Sequence, residues 1–103
     1  MAKSPSIKIV PDTDERWDLA RDGDIGARNS LTEFHLPLVV QIAKLIKKKL
    51  PASVEEDDLV SYGSLGLLRA VETYDPERAK FRTYAAFKIS NSIYDGLRQE
   101  DWA

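Results

Sequence analysis

Near the end of this chain an apolar residue returns at every fourth position: Phe81, Ala85, Ile89, Ile93 and Leu97. At about 100° per residue such a row drifts along one side of an α-helix, and the strict alternation of a half-buried strand does not recur anywhere in the sequence. The spacing predicts a helix starting near Thr83 and ending near Glu100, with one side in a core. Tyr84, Phe87, Asn91, Tyr94 and Arg98 fall within an arc of roughly 80° centred opposite that side.

The preceding chain also reads as helical. Residues 1–11, with Ser4, Pro5, Ser6 and Pro11, look like a loose, flexible tail. Asp12 or Asp14 can cap a short helix through Glu15, Arg16, Trp17 and Leu19, with Trp17 as its anchor and Gly23 as its stop. A second helix opens near Asp24 and reaches Pro37, where the missing N–H forces a kink or a fresh start. Beyond it Leu38, Ile42 and Leu45, with Val39, Ala43, Ile46 and Leu50, form adjoining apolar stripes, and Lys44, Lys47 and Lys48 take the solvated side until Pro51. Ser53-Val54-Glu55-Glu56 fits a capping box, and the four acids at positions 55–58 suit the positive end of a helix dipole. That helix is expected over 54–74, with Leu59, Gly63, Leu67, Ala70, Val71 and Tyr74 inward. Gly63 and Gly66 each cost about 1 kcal/mol against alanine inside a helix, so a neighbour must approach closely there. Either a helix of the same domain or a partner's helix would fit. The fold class is all-α, a compact bundle of about four to five helices.

Composition excludes whole classes of function. In 103 residues there is no cysteine and one histidine, His35, which removes disulfide frameworks, thiolate zinc sites and most acid–base constellations. No metal site, cofactor or catalytic residue is expected. The paired carboxylates Glu55-Glu56 and Asp57-Asp58 read as dipole partners at a helix start, not as hydrolase machinery. No apolar run approaches the roughly 18 residues needed to span a bilayer, and the first ten residues have no signal-like core, so the expected location is the cytoplasm. The formal net charge of −2 conceals opposed segments. Residues 52–77 hold seven acids against Arg69, whereas residues 78–103 hold five bases against three acids. Two surfaces with different partners are one expectation, and ordinary solvated faces are the other.

The basic segment is the more informative. Three aromatics, an amide and a guanidinium share one side of the last helix, flanked by Lys88 and preceded by Arg78, Lys80 and Arg82. Such a surface can stack unpaired bases on its rings while cations hold the phosphates. Packing of those rings against another helix is the competing possibility.

Three strings, ARNSLTEFHLPLVVQIA, LPASVEEDDLVSYGSLGLLRAVETYDPERAKFRTYA and YDGLRQEDW, follow one another over about three quarters of the chain. Together they resemble region 2 of bacterial RNA polymerase sigma factors of the sigma-70 family. The likeness is greatest to the flagellar and sporulation branch (FliA/WhiG-like), whose members carry similar "LPLV", "YDPER" and "DELR-x-x-DW" strings at near-constant spacing. Residues 17–25, with the Arg21-Asp22-Gly23-Asp24 turn, are similar to region 1.2, so residues 12–103 are expected to form one region 1.2/region 2-like helical domain.

The resemblance implies two binding surfaces. Asp58, Ser61, Tyr62, Ser64 and Leu68 match the part that grips the β′ clamp helices of core RNA polymerase. Residues 78–98 match the part that captures the melted non-template strand of the −10 promoter element, with Tyr84 stacking at the upstream fork. Tyr74, Arg78, Tyr84, Phe87 and Asn91 would form a pocket for a flipped base, with Thr83 beside it and Lys80 and Lys88 on phosphates. His35 falls beside the position that helps bind a second extruded base; a plain surface residue near the Pro37 kink is the bland alternative. An anti-sigma factor is a further candidate partner, and no membrane is implied. The chain departs from the family at three places. Its Asp75-Pro76-Glu77-Arg78-Ala79-Lys80-Phe81 loop is one residue shorter than "DPERGIKF". Ser90, Asn91 and Ser92 stand where a basic residue and a Gly-Ala pair are usual. The sequence stops at Trp102-Ala103, where relatives continue, as expected of a fragment or a minimal factor. The leading expectation is a non-enzymatic domain that binds core polymerase and stabilises the melted −10 element. The shortened loop and Ser90 favour the alternative, a sigma-like module that occupies polymerase or an anti-sigma protein without opening promoters.

Overall fold

Gly66 of one helix lies so close to the backbone of another that an added Cβ would sit 2.4 Å from the Lys88 carbonyl oxygen and 2.8 Å from the Ile89 Cα. In the computed structural model, which describes residues 7–100, these helices are α4 (Glu56–Thr73) and α5 (Phe81–Gln99). Three more precede them: α1 (Arg16–Arg21), α2 (Ile25–Phe34) and α3 (Leu36–Lys47). The close neighbour demanded by the glycines is therefore a helix of the same chain. Contact between backbones brings the flanking side chains into van der Waals range and offsets the propensity cost of glycine.

The expected core row of α5 is buried in full, as are Leu59, Gly63, Leu67, Ala70, Val71 and Tyr74 from the α4 segment. Val39 of α3 closes over Gly63, where an added Cβ would meet its Cγ1 at 2.9 Å. No strand occurs among the described residues. None of the described helices is long and apolar enough to cross a membrane, and no group of three or more metal-ligating side chains forms among those residues.

Local signals act largely where the sequence places them. The Asp24 carboxylate accepts the Ala27 N–H at 2.8 Å and caps α2. Gly23 adopts φ +104°, a left-handed conformation suited to glycine, and separates α1 from that cap. The N-cap of α1 is Glu15, without a side-chain cap, and not Asp12 or Asp14; Asp14 accepts the Arg16 N–H at 2.9 Å just ahead of the helix. Pro37 opens α3 after a break at His35.

Three further expectations change. The Ser53 capping box does not form: α4 begins at Glu56, with Glu55 at the N-cap and no side-chain cap. The Val54 N–H instead bonds to the Pro51 carbonyl at 3.0 Å, so residues 51–54 are spent in a turn. Leu45 is 55% exposed, because α4 and α5 already cover the Leu38, Ile42, Ala43 and Ile46 side and Leu45 lies near Lys48 and Lys49. The described part of the expected tail is anchored. Val10 is buried, its N–H donates to His35 Nε2 at 3.1 Å, and the Trp17 indole N–H donates to the Pro11 carbonyl at 2.9 Å. Residues 1–6 and 101–103, including Trp102, lie outside the described residues.

Candidate nucleic-acid interface

The first turns of α5 pack against a buried aromatic cluster. Trp17, at 1% exposure, meets Phe81 at 4.4 Å and Tyr74 at 4.8 Å between ring centroids, the latter edge-on. Such pairs add about 0.5–1.5 kcal/mol beyond the area they bury. His35 completes the cluster, 4.6 Å from Phe81 and 5.6 Å from Trp17.

His35 is 0% exposed, so the structure corrects its expected place at a DNA-facing surface and also the surface-residue alternative. Its Nδ1 lies 2.7 Å from the Leu31 carbonyl and its Nε2 accepts from Val10, a pair of partners that fixes the neutral tautomer with the proton on Nδ1. Burial holds its pKa below the usual imidazole value, opposed in part by the bond to Leu31.

Around this anchor a cavity of about 480 Å³ opens between the end of α4, the connecting loop and α5. Tyr74, Arg78 and Tyr84, three of the five residues that the resemblance implies for a pocket, line it together with Arg21, Thr73, Asp75, Glu77 and Ala79. The Tyr74 ring is buried and forms a wall; its hydroxyl donates to the Ala79 carbonyl at 2.7 Å, and burial raises its pKa. Tyr84 is half-buried. The Thr73 hydroxyl donates to the Arg69 carbonyl at 2.7 Å, so it accepts the Tyr84 hydroxyl proton across the 2.6 Å contact between them. That chain orients the Tyr84 ring, and Lys88 Nζ stands 5.6 Å from its centroid.

Phe87 and Asn91 are exposed further along α5 and do not line the cavity; Phe87 is 64% accessible. Lys80 and Thr83 are exposed at the start of α5, and Lys88 is half-buried. Of the three aromatics on this side, Phe87 and Tyr94 are exposed and Tyr84 is partly buried against the core. Arg21, Thr73, Asp75 and Glu77 were missed from the sequence. Arg21 lies 53 residues before the loop and has no periodic relation to it, whereas Thr73 and the two acids carried a signal in their position beside Tyr74 and Arg78.

A second face is built on α4. Asp58 and Ser61 are exposed, and Tyr62, Ser64 and Leu68 are partly covered. Ser64 turns its hydroxyl back to the Val60 carbonyl at 2.7 Å. Tyr62 lies over Gly96, where an added Cβ would meet its ring at 2.3 Å, and its hydroxyl donates to Glu100. That carboxylate pushes the Tyr62 pKa up to about 12. Leu65, absent from the expected contacts, is 56% exposed and stands between two grooves. Tyr62 and Gly96 line one of about 380 Å³, and Ser64, Leu68 and Thr32 line the other of about 320 Å³.

The described residues thus form a helical domain with an aromatic-lined cavity at one end of α4 and a grooved face along it. The family of sigma-70 region 2 matches residues 31–103, and this chain belongs to it. Among its relatives are the RNA polymerase sigma-D factor of Bacillus subtilis, 47% identical over 88 residues, and the RNA polymerase sigma factor FliA of Yersinia enterocolitica, 47% identical over 77 residues. FliA of Escherichia coli K12 is 45% identical over 76 residues. These alignments take in 84%, 74% and 73% of this chain but 34%, 34% and 32% of the relatives, so the chain spans about a third of their length. The all-α fold of the described residues, with five helices, is consistent with sigma region 2.

Proposed function

We propose that this domain binds core RNA polymerase and holds the melted non-template strand of a −10 promoter element, acting in the cytoplasm as an initiation factor and not as an enzyme. The observation that carries this function is the cavity beside Tyr84: a ring with an oriented hydroxyl, cations at Arg78 and Lys88, and room for a base next to an exposed aromatic on the same helix. Extruding a base costs a few kcal/mol, and stacking on an aromatic side chain returns about 1–3 kcal/mol per base. Tyr84 would take the fork, Tyr74, Arg78 and Tyr84 would enclose the flipped base, and Phe87 and Asn91 would meet bases further along the strand. Lys80, Thr83 and Lys88 would hold its backbone.

The α4 face would take the β′ clamp helices through Asp58, Ser61, Tyr62, Ser64 and Leu68, with Leu65 as a knob between the two grooves. Helix-on-helix recognition suits such a surface, and an anti-sigma factor would compete for it. The test is binding to core polymerase, then binding of the loaded polymerase to a fluorescent −10-like non-template strand at fixed salt. Both steps should succeed, and Tyr84→Ala should weaken the second by about 1–3 kcal/mol while sparing the first. Core binding without strand binding would leave a decoy module in place of an initiation factor.

A further inference from the structure

Residues 74–80, between α4 and α5, have no helix of their own, yet they furnish most of the cavity wall. From within, Asp75 Oδ1 accepts the Glu77 N–H at 2.9 Å, and the Asp75 carbonyl accepts the Arg78 N–H at 3.1 Å. From outside α4, the loop and α5, one side chain among the described residues bonds to it. Arg21, in the last turn of α1, places Nη1 at 3.4 Å from the Tyr74 carbonyl oxygen and 3.5 Å from Asp75 Oδ1. Its Nη2 lies 3.2 Å from Asp18 of the same helix. One turn earlier, Trp17 seats against the Tyr74 ring. Helix α1 therefore holds Tyr74 by ring and by carbonyl.

We propose that Arg21 is a positioning residue of the base pocket, fixing the Tyr74 carbonyl and the Asp75 carboxylate so that the loop presents a set wall to an extruded base. The inference rests on the proposed strand-binding function. Arg21 and Asp75 are 40% and 37% exposed at their side chains, and an ion pair that open adds little to folding stability. The guanidinium suits this task because its rigid plane keeps Nη2 on Asp18 while Nη1, about 2.3 Å away in the same fork, serves the loop, a separation that the single nitrogen of an ammonium lacks. Arg21→Lys keeps the charge and loses the fork.

The experiment uses core polymerase loaded with the chain. Labelled −10-like non-template strands are compared, either intact or carrying a single abasic site at each position in turn, across a salt series. The wild type should prefer the intact strand over the one lacking the extruded base. Arg21→Lys should bind the intact strand roughly three- to tenfold more weakly, the scale of one lost hydrogen bond. It should bind that abasic strand unchanged, with the same salt slope, thermal midpoint and polymerase affinity. In an Asp75→Asn background the same substitution should have a smaller effect. Equal loss on intact and abasic strands, or no loss on either, overturns the positioning role. A wild type that does not distinguish the strands overturns the base pocket itself, and Arg21's role with it.

Discussion

The two ends of α4 make an instructive pair. Its face from Asp58 to Leu68 is carried on one helix, with α5 and α2 supplying the far walls of the two grooves beside it. At its other end Tyr74 and the loop to α5 form a cavity whose walls come from α1, α4, the loop and α5. The exposed residues of the first keep their angular order wherever α4 is helical, whereas the second exists only when Trp17, Arg21, Tyr74 and Tyr84 are brought together. A surface on one element tolerates looseness elsewhere, and a site assembled from four segments does not.

Trp17→Ala should break that comparison most sharply. Emptying the buried aromatic cluster costs about 3–5 kcal/mol. Urea unfolding should show this loss, and hydrogen exchange should show early opening of α1 and the cavity with better-protected α4–α5 amides. If protection falls equally across all five helices, the two ends share one cooperative unit.

Gly66→Ala should be next and should damage both ends together. The new methyl meets Lys88 and Ile89 backbone, which moves only with the helix, and such overpacking costs about 1–3 kcal/mol against a propensity gain of about 1 kcal/mol. A net loss appears as a lower thermal midpoint, and an unchanged midpoint would mean that the crossing can slide apart freely.

Leu65→Ala should sharpen the contrast. The side chain is exposed, so stability should stay within about 0.5 kcal/mol of wild type. Core polymerase affinity should fall while strand binding by the loaded complex at saturation is unchanged; a normal affinity would remove Leu65 from the polymerase face.

The smallest effect is the pH response of His35. Its folded pKa lies below the unfolded value of 6.5, so above 6.5 both states are neutral and its contribution is complete. As the pH falls below 6.5 the unfolded chain takes up a proton that the folded core refuses, and stability declines until the folded pKa is passed. The denaturation midpoint should therefore be lower at pH 5.5 than at pH 7.5, and His35→Gln should flatten that difference. An equal slope in the variant would assign the response to other groups.

Helices α2 to α5 were legible because each carries its own signal: the Asp24 cap, Pro37 with the lysine-flanked stripes, the acids ahead of the Leu59-Gly63-Leu67 row, and the row from Phe81 to Leu97. The exposed side of α5 was legible for the same reason, since residues on one helix keep their angular order whatever surrounds them. His35 shows where such reasoning stops. Its neighbours in sequence placed it at a kink, but whether that kink faces solvent depends on Trp17, Phe81 and Val10, which come from three other segments.

By itself the sequence determined the all-α class, the family, and the side of α5 that carries rings and cations, because periodicity and short motifs are properties of contiguous residues. The tertiary structure alone decided that Val10 is locked to His35, that Leu45 is left outside, and that Arg21 reaches the Tyr74 carbonyl from α1. Those contacts join residues up to 53 positions apart, and the packing of helices, not the pattern within any one of them, brings such residues together.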